Sequence, residues 1–577
     1  MLARDGWGRD LFLLLPLLAV LFGFNLGSRA LWSPVEGRYS EIPREMVVSG
    51  DYVTPRLNGV RYFEKPPLFY WLQALSIRLF GLNEWSLRFW NALFAALGCA
   101  AVYAAGRDLF GRRAGWIASL VLASSPLYYA MARVITVDMA LSFFLSCGLI
   151  AFLLGTRKAP GRSRRLRMWT FYVFIALATL TKGLVGILLS ALVIGFWIGI
   201  LGQWKILKAM YLPSGIVLYA AIAVPWHIMV SRANPEFAGF YFIHEHFQRY
   251  LLEDQAPLRQ AWVYIPVLLV GFFPWVAFLI QSVKNNLGFS WYERWRHQEQ
   301  VFLGLWALLT FLFFSASSSQ LFTYILPAFP PLALLIGRTF SSWWDAEAEP
   351  PIRSGVWAAA IAMALLALVF GFSSLQHGLE RYSNWPSLNT PSDDTTVPST
   401  KLASYPDLAK LRPYVYAQGA VLLCGAAALL LARRRGLRGV FPVLGATTAV
   451  LLILVDSGFT LLDERRSVKD LAAALNPRLH PADEVATYHA YYQDLPVYIQ
   501  RRVTVVEWSG ELDFGAQAED TSGWIIDEAE FWRRWKRADT MYAVTDRENY
   551  KGLIARGTPN IYLVRGNDYN VVFTNQR

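Results

Sequence analysis

The feature that most restricts this chain is a series of apolar runs, each long enough to cross a bilayer, separated by short polar loops. A crossing helix needs roughly 17 to 25 apolar residues. Runs of that kind begin near Leu11, Ser86, Ala114, Met139, Trp169, Gly183, Pro213, Val263, Phe302, Tyr324, Val356, Val415 and Val440. The expected architecture is therefore a polytopic α-helical membrane protein with about thirteen transmembrane helices. Composition agrees, since 55% of the 577 residues are hydrophobic and only 17% are charged, against about 25% charged in soluble domains.

The net charge of +12 does not call for nucleic acid. Lys and Arg cluster in the short loops 107–113, 157–168, 202–208 and 432–439, where the positive-inside rule accounts for them. Those loops are assigned to the cytoplasm, so the opposite, external side receives loops 28–85, 230–262 and 374–413, the turns before Asp138, at Lys182 and at 317–324, and the tail. The opening MLARDGWGRD and its apolar run read as a retained first helix, because no small-residue cleavage site follows. Residues 66–81, interrupted by Gln73 and Arg78, read as an amphipathic helix lying in the interface. Cys99, Cys147 and Cys424 fall inside apolar runs without metal-type spacing and read as structural.

After residue 458 the apolar runs stop, and short β-like runs (EVATY, VTVVEW, TMYAVT, NIYLVR) alternate with helical ones. Two domains follow: a transmembrane domain over 1–458 and a small external α/β domain over 459–577.

The chemistry concentrates in residues 28–70, where Glu36, Arg38, Glu41, Arg44 and Glu45 crowd a helical run and Glu64 and Lys65 precede a double proline. Ionisable groups at a membrane are costly and mark function by default. Glu36 suits either a first-turn acid of a helix or a site carboxylate. Asp138, at the mouth of an apolar run, is a helix cap with Arg133 as ion-pair partner or a site acid converging with Glu36 on one face. Lys65 and Arg249 are either interfacial snorkelling residues or phosphate ligands, and Lys182 divides the same way. His244 and His246 flank Glu245 in a motif that suits a divalent cation or is an ordinary loop. No phosphate-binding loop, dinucleotide fingerprint or nucleophile elbow is present. An enzyme working outside the cytoplasm without nucleotide machinery calls for a lipid-carried substrate.

An ordered set of motifs then stands out: PVEGRYSEIPREM, SGDYVTP, FEKPPLFYW, LFGLNEWSLR, TVDMAL, LTKG, HEHFQR and YILPAFPPLALL. Over residues 28 to about 337 this set resembles the bacterial lipid-linked glycosyltransferases related to protein O-mannosyltransferases, and among them the lipid A aminoarabinose transferase family. The resemblance implies a GT-C fold, an undecaprenyl-phosphate-linked sugar as donor, lipid A or another periplasmic acceptor, and membrane lipids as surroundings. It further implies a bacterial inner-membrane enzyme, a monomer, with its site facing the periplasm. Carried over, Glu36 and Asp138 are the acidic catalytic pair; Lys65, Arg249, Lys182 and Tyr324 hold the donor phosphate; Glu64 and His244 hold a divalent metal, zinc by preference. Two positions depart from the family pattern. Val35 stands where many relatives carry Asp, and Gln320 where they often carry Lys. The readings that compete with aminoarabinose transfer to lipid A are transfer of another sugar, transfer to a protein or glycan hydroxyl, and a lipid-phosphate transporter without chemistry.

Overall fold

The computed structural model describes residues 6–248, 262–344, 352–371, 406–508, 510–537 and 539–577, with the backbone alone for 244–248 and 406–409. The chain opens with α1 (Trp7–Gly23), then the helix α2 (Val35–Ser49), the hairpin β1 (Arg56–Leu57) and β2 (Val60–Arg61), and α3 (Leu68–Phe80). Helices α4 (Glu84–Phe110), α5 (Arg112–Ala123), α6 (Pro126–Ala132), α7 (Val137–Thr156), α8 (Arg162–Lys182) and α9 (Val185–Leu201) form the first half of the bundle. The second half contains Leu212–Ala233, a bent pair Tyr264–Gly271 and Trp275–Leu287, Gln298–Ser315, Phe329–Trp343, Ile352–Gly371, Pro406–Ala432 and Leu437–Phe459.

Apolar helices lie at every expected position, yet length separates them. Seven described helices are long and apolar enough to cross alone, or eight with the bent pair, whose halves meet at 104°. Proline explains much of the shortfall, because it removes an amide donor and breaks the ladder. The run from Ala114 is split at Ser125 with Pro126 opening α6, and the run from Tyr324 begins as a 3-10 turn over Phe322–Ala328 before Pro330 and Pro331 start the helix.

Helix packing relies on small residues. A Cβ on Gly106 of α4 would lie 2.8 Å from the Gly115 Cα of α5, so both backbones approach only because neither carries a side chain. The start of α4 is fixed by a reciprocal cap, in which Ser86 N donates to Asn83 Oδ1 at 2.9 Å and Asn83 N to Ser86 Oγ at 3.3 Å. The amphipathic reading of α3 holds with a twist: Gln73 points inward and donates to Leu87 O, while Leu75, Leu79 and Phe80 are exposed. Nor are all polar clusters at the end that carries the C-terminal domain. Asp10 of α1 is buried against Arg107, Arg112 and Tyr103 at the other.

The C-terminal domain is a six-stranded sheet in the order β5 (Ile525–Ile526), β4 (Thr504–Val506), β3 (Glu484–Tyr488), β6 (Met541–Asp546), β8 (Asn570–Thr574), β7 (Tyr562–Gly566). β3 to β6 run parallel, and β8 is antiparallel to both β6 and β7. One face packs on its own apolar cluster around Phe531, Trp535 and Phe573; the other joins the main core. The domain sits on residues 28–61. Asn58 and Val503 exchange two hydrogen bonds of 2.9 Å, Trp524 Nε1 donates to Asn58 O, and Ser33 and Ser467 both donate to Asp494. Gly37 of α2 is pressed against the backbone of Gln493 and Asp494, leaving no room for a Cβ. Of the loop 374–413, residues 374–405 lie outside the described residues.

Candidate functional site

The turn 133–136 enters α7 through Thr136 in extended conformation, and places Asp138 in the first helical turn, where the helix dipole favours an anion. Lys182 closes the last turn of α8, where the dipole favours a cation. The two meet: Lys182 Nζ is ion-paired with Asp138 Oδ1, and the side chains are 8% and 9% exposed. The same ammonium lies 3.7 Å from the centroid of the Tyr324 ring, a cation–π contact. Three of the expected residues thus form one group, a buried ion pair against the partly buried Tyr324 ring. Arg133 is not the partner of Asp138. Its guanidinium is held by Asp456 at 2.8 and 3.1 Å and by the carbonyls of Phe22 and Phe24.

Glu36 differs from the expected open acid. Arg88 Nε and Nη2 donate to its two oxygens at 2.9 and 2.8 Å, Arg29 Nη2 adds contacts of 3.3 and 3.4 Å, and the amides of Trp32 and Ile135 donate at 3.1 Å each. Burial on its own would raise the Glu36 pKa, but Arg88 and Arg29 with these hydrogen bonds hold it down at about 2. A carboxylate so saturated has no lone pair left for a substrate proton. It ties α2 to the turn that carries Asp138, because the Ile135 amide belongs to that turn. Arg29 Nη2 donates to Arg133 O at 3.2 Å, and Asn91 Nδ2 donates to the carbonyls of Val134 and Thr136 at 2.9 Å each, so the whole turn is fixed.

Lys65 follows the β1–β2 hairpin, whose Asn58 and Gly59 take the φ > 0 conformations of a two-residue turn. Its Nζ donates to Glu64 O at 2.8 Å and lies 3.8 Å from Glu64 Oε2. Arg249 and the side chain of His244 lie outside the described residues, so the two-membered phosphate clamp and the Glu64–His244 metal pair have one described partner each. Among the described residues no group of three or more His, Cys, Asp and Glu converges on a cation position. Glu64 with its neighbour Lys65 does not by itself fit a metal.

Arg38 is the site residue that sequence reasoning noted without assigning. It is buried under Tyr39, with the ring centroid 5.4 Å away, and its Nη1 pairs at 3.2 Å with Glu511 of the C-terminal domain. Burial raises the Tyr39 phenol pKa, with Arg38 opposing and Glu64, Asp138 and Tyr324 adding to the effect. Tyr39 therefore lies in electrostatic range of both the Asp138–Lys182–Tyr324 group and Arg38. The only sequence signal was a base two residues from Glu36. Its partner lies 473 residues away.

Comparison with known proteins follows the same division of the chain. Residues 9–241 match the family model described as dolichyl-phosphate-mannose-protein mannosyltransferase, and residues 471–574 that of the aminoarabinose transferase C-terminal domain. An undecaprenyl phosphate-alpha-4-amino-4-deoxy-L-arabinose arabinosyl transferase of Pectobacterium carotovorum is 29% identical over 94% of each chain. One from Pseudomonas fluorescens is 34% identical over 58% of this chain and 60% of its own. The crystal structure of ArnT from Cupriavidus metallidurans bound to undecaprenyl phosphate superposes with a TM-score of 0.84 at 29% identity, covering 99% of this chain and 98% of that one. The oligosaccharyltransferase of Archaeoglobus fulgidus, at a TM-score of 0.51 and 13% identity, shares the fold alone.

A multi-pass helical bundle with its charged cluster at one end beneath an α/β domain is the GT-C architecture, and the chain is a lipid-linked glycosyltransferase of that class. Within the class it is similar over nearly its whole length to the aminoarabinose transferases, whose C-terminal domain model its own C-terminal residues match.

Proposed function

We propose that this chain moves 4-amino-4-deoxy-L-arabinose from undecaprenyl phosphate to a phosphate of lipid A, at the periplasmic face of the bacterial inner membrane. The observation that carries the reading is the buried Asp138–Lys182 pair under the Tyr324 ring, in a fold superposing over nearly its full length on a structure that holds undecaprenyl phosphate. In this reaction an oxygen of the acceptor phosphate bonds to C1 of the sugar. The C1–O bond to undecaprenyl phosphate breaks, and its electrons leave with that phosphate. Lys182, joined by Lys65 and, by the family resemblance, Arg249, stabilises the charge that grows on the leaving group. Asp138 remains as the anion that faces the sugar's ammonium and the positive charge developing at C1.

The acid–base chemistry supports a phosphate acceptor over a hydroxyl. A hydroxyl would need a general base within hydrogen-bond reach, whereas Glu36 is saturated and Asp138 is paired with Lys182. A phosphate oxygen is already ionised and needs none.

The test is incubation of the purified chain in detergent with undecaprenyl-phosphate-aminoarabinose and lipid A, read by mass spectrometry. Lipid A should gain the mass of one aminoarabinose per modified phosphate. Movement of the donor lipid across vesicles without any such product would instead establish a transporter, and gain on a peptide hydroxyl but not on lipid A would overturn the acceptor.

A further inference from the structure

Arg38 is a buried guanidinium that uses only one of its three nitrogens in hydrogen bonds among the described residues. Nη1 is committed to Glu511, yet Nε is buried without a hydrogen-bond partner, and Nη2 donates no hydrogen bond among the described residues. Nε and Nη2 form one side of the guanidinium fork, the side that grips two oxygens of a phosphate or carboxylate in parallel. Beside it the hydroxyl of Tyr62 is also buried without a partner, and Tyr62 is among the groups that act electrostatically on Arg38. Leaving such donors unmade in a protein interior is costly, and a native structure that does so has a use for them. The orientation of the fork comes from the C-terminal domain: Gln493 Nε2 donates to Glu511 Oε1 at 2.6 Å, leaving Oε2 for Arg38.

We propose that the Nε/Nη2 edge of Arg38, with the Tyr62 hydroxyl, binds the phosphate of the acceptor lipid, and that Glu511, set by Gln493, is the positioning residue that aims it. The proposal rests on the transfer reaction above. Displacement at C1 puts the attacking and leaving phosphates on opposite sides of the sugar, so two oxyanions need two separate cationic sites. Lys182 under Tyr324 serves the leaving phosphate, and Arg38, across Tyr39 on the side of the C-terminal domain, serves the attacking one. The C-terminal domain then is a working part of the site rather than an appendage.

The full-length chain and its variants Arg38→Lys and Glu511→Gln are compared in detergent. Arg38→Lys keeps the charge and loses the fork; Glu511→Gln keeps the shape and the Gln493 contact. Each should raise KM for lipid A about tenfold, the order expected for one charge-assisted hydrogen-bonded contact, with the donor KM within about twofold of wild type. Binding of lipid A and of dephosphorylated lipid A, measured without donor, should show a preference for the phosphorylated form that both variants lose. A rise in donor KM alone would assign Arg38 to the leaving phosphate and overturn the proposal. So would an unchanged lipid A KM, or a fall in kcat with both KM values intact. Selective binding lost in Arg38→Lys supports the site even where no sugar is transferred, which separates a failure of the reaction from a failure of the site.

Discussion

Lys182 and Asp138 carry their charges below a tenth exposed, so each is tolerable only because of the other. Removing one partner of a buried pair costs about 3–5 kcal/mol, while replacing both is often close to neutral. Lys182→Met should therefore destabilise the protein by about 3–5 kcal/mol and stop transfer, and Asp138→Asn on that background should restore most of the stability and none of the activity. Thermal unfolding with a transfer assay checks both halves. A double variant as unstable as the single would mean that the pair is not an energetic unit. Glu36 answers differently. Its pKa near 2 keeps it ionised throughout the working range, so Glu36→Gln should lower kcat by loosening the 133–136 turn while leaving the pH profile of kcat between about pH 6 and 9 unshifted. A lost basic or acidic limb in that profile would return Glu36 to proton transfer.

The turn and α2 show what could be read from the chain and what could not. The helical run at Glu36, the polar character of Lys65 and the position of Asp138 at a helix mouth were legible, because each is a local property of spacing, capping or charge. Partners were not. Asp138 was matched with Arg133, five residues away, whereas the fold gives it Lys182 and gives Arg133 to Asp456, 323 residues on. In the tail, β8 went unread because NVVFT follows β7 after three residues and pairs antiparallel in an otherwise parallel pattern. Where a proline breaks an apolar run, as at Pro126 and Pro330, hydropathy reads one segment and the backbone makes two shorter ones. Gly37 was also silent, since its meaning lies in the Asp494 backbone against it. Gly37→Ala should push α2 off the C-terminal domain, destabilise the protein by about 1–3 kcal/mol as overpacking does, and raise the protease sensitivity of the tail. Wild-type sensitivity in that variant would mean that the contact yields without cost.

At the scale of the whole molecule, the two domains are joined by carboxylates as much as by apolar surface, and that makes their union depend on pH. Burial, with the charge of Glu41 beside it, raises Glu45 to about 8 despite the Gly59 amide and Arg44. Burial raises Asp494 to about 6 against the hydrogen bonds from Ser33, Ser467 and the Val468 amide. Glu511 is raised too, by burial opposed by Arg38. A carboxyl whose folded pKa lies above its unfolded value binds its proton more tightly when folded. Its contribution is therefore whole below the unfolded pKa of about 4 and is lost as pH climbs through the folded value. For Asp494 the loss falls between about pH 4 and 6, and for Glu45 between about pH 4 and 8. The melting temperature of the purified chain should fall steadily from about pH 5 to pH 8, and Glu45→Gln should flatten the upper part of that slope. The acid Glu41 and the base Arg44 act on Glu45, whose own charge reaches the Tyr491 phenol of the C-terminal domain. A slope unchanged by Glu45→Gln would place the titrating group elsewhere in the interface, with Asp494→Asn as the variant that then has to remove it.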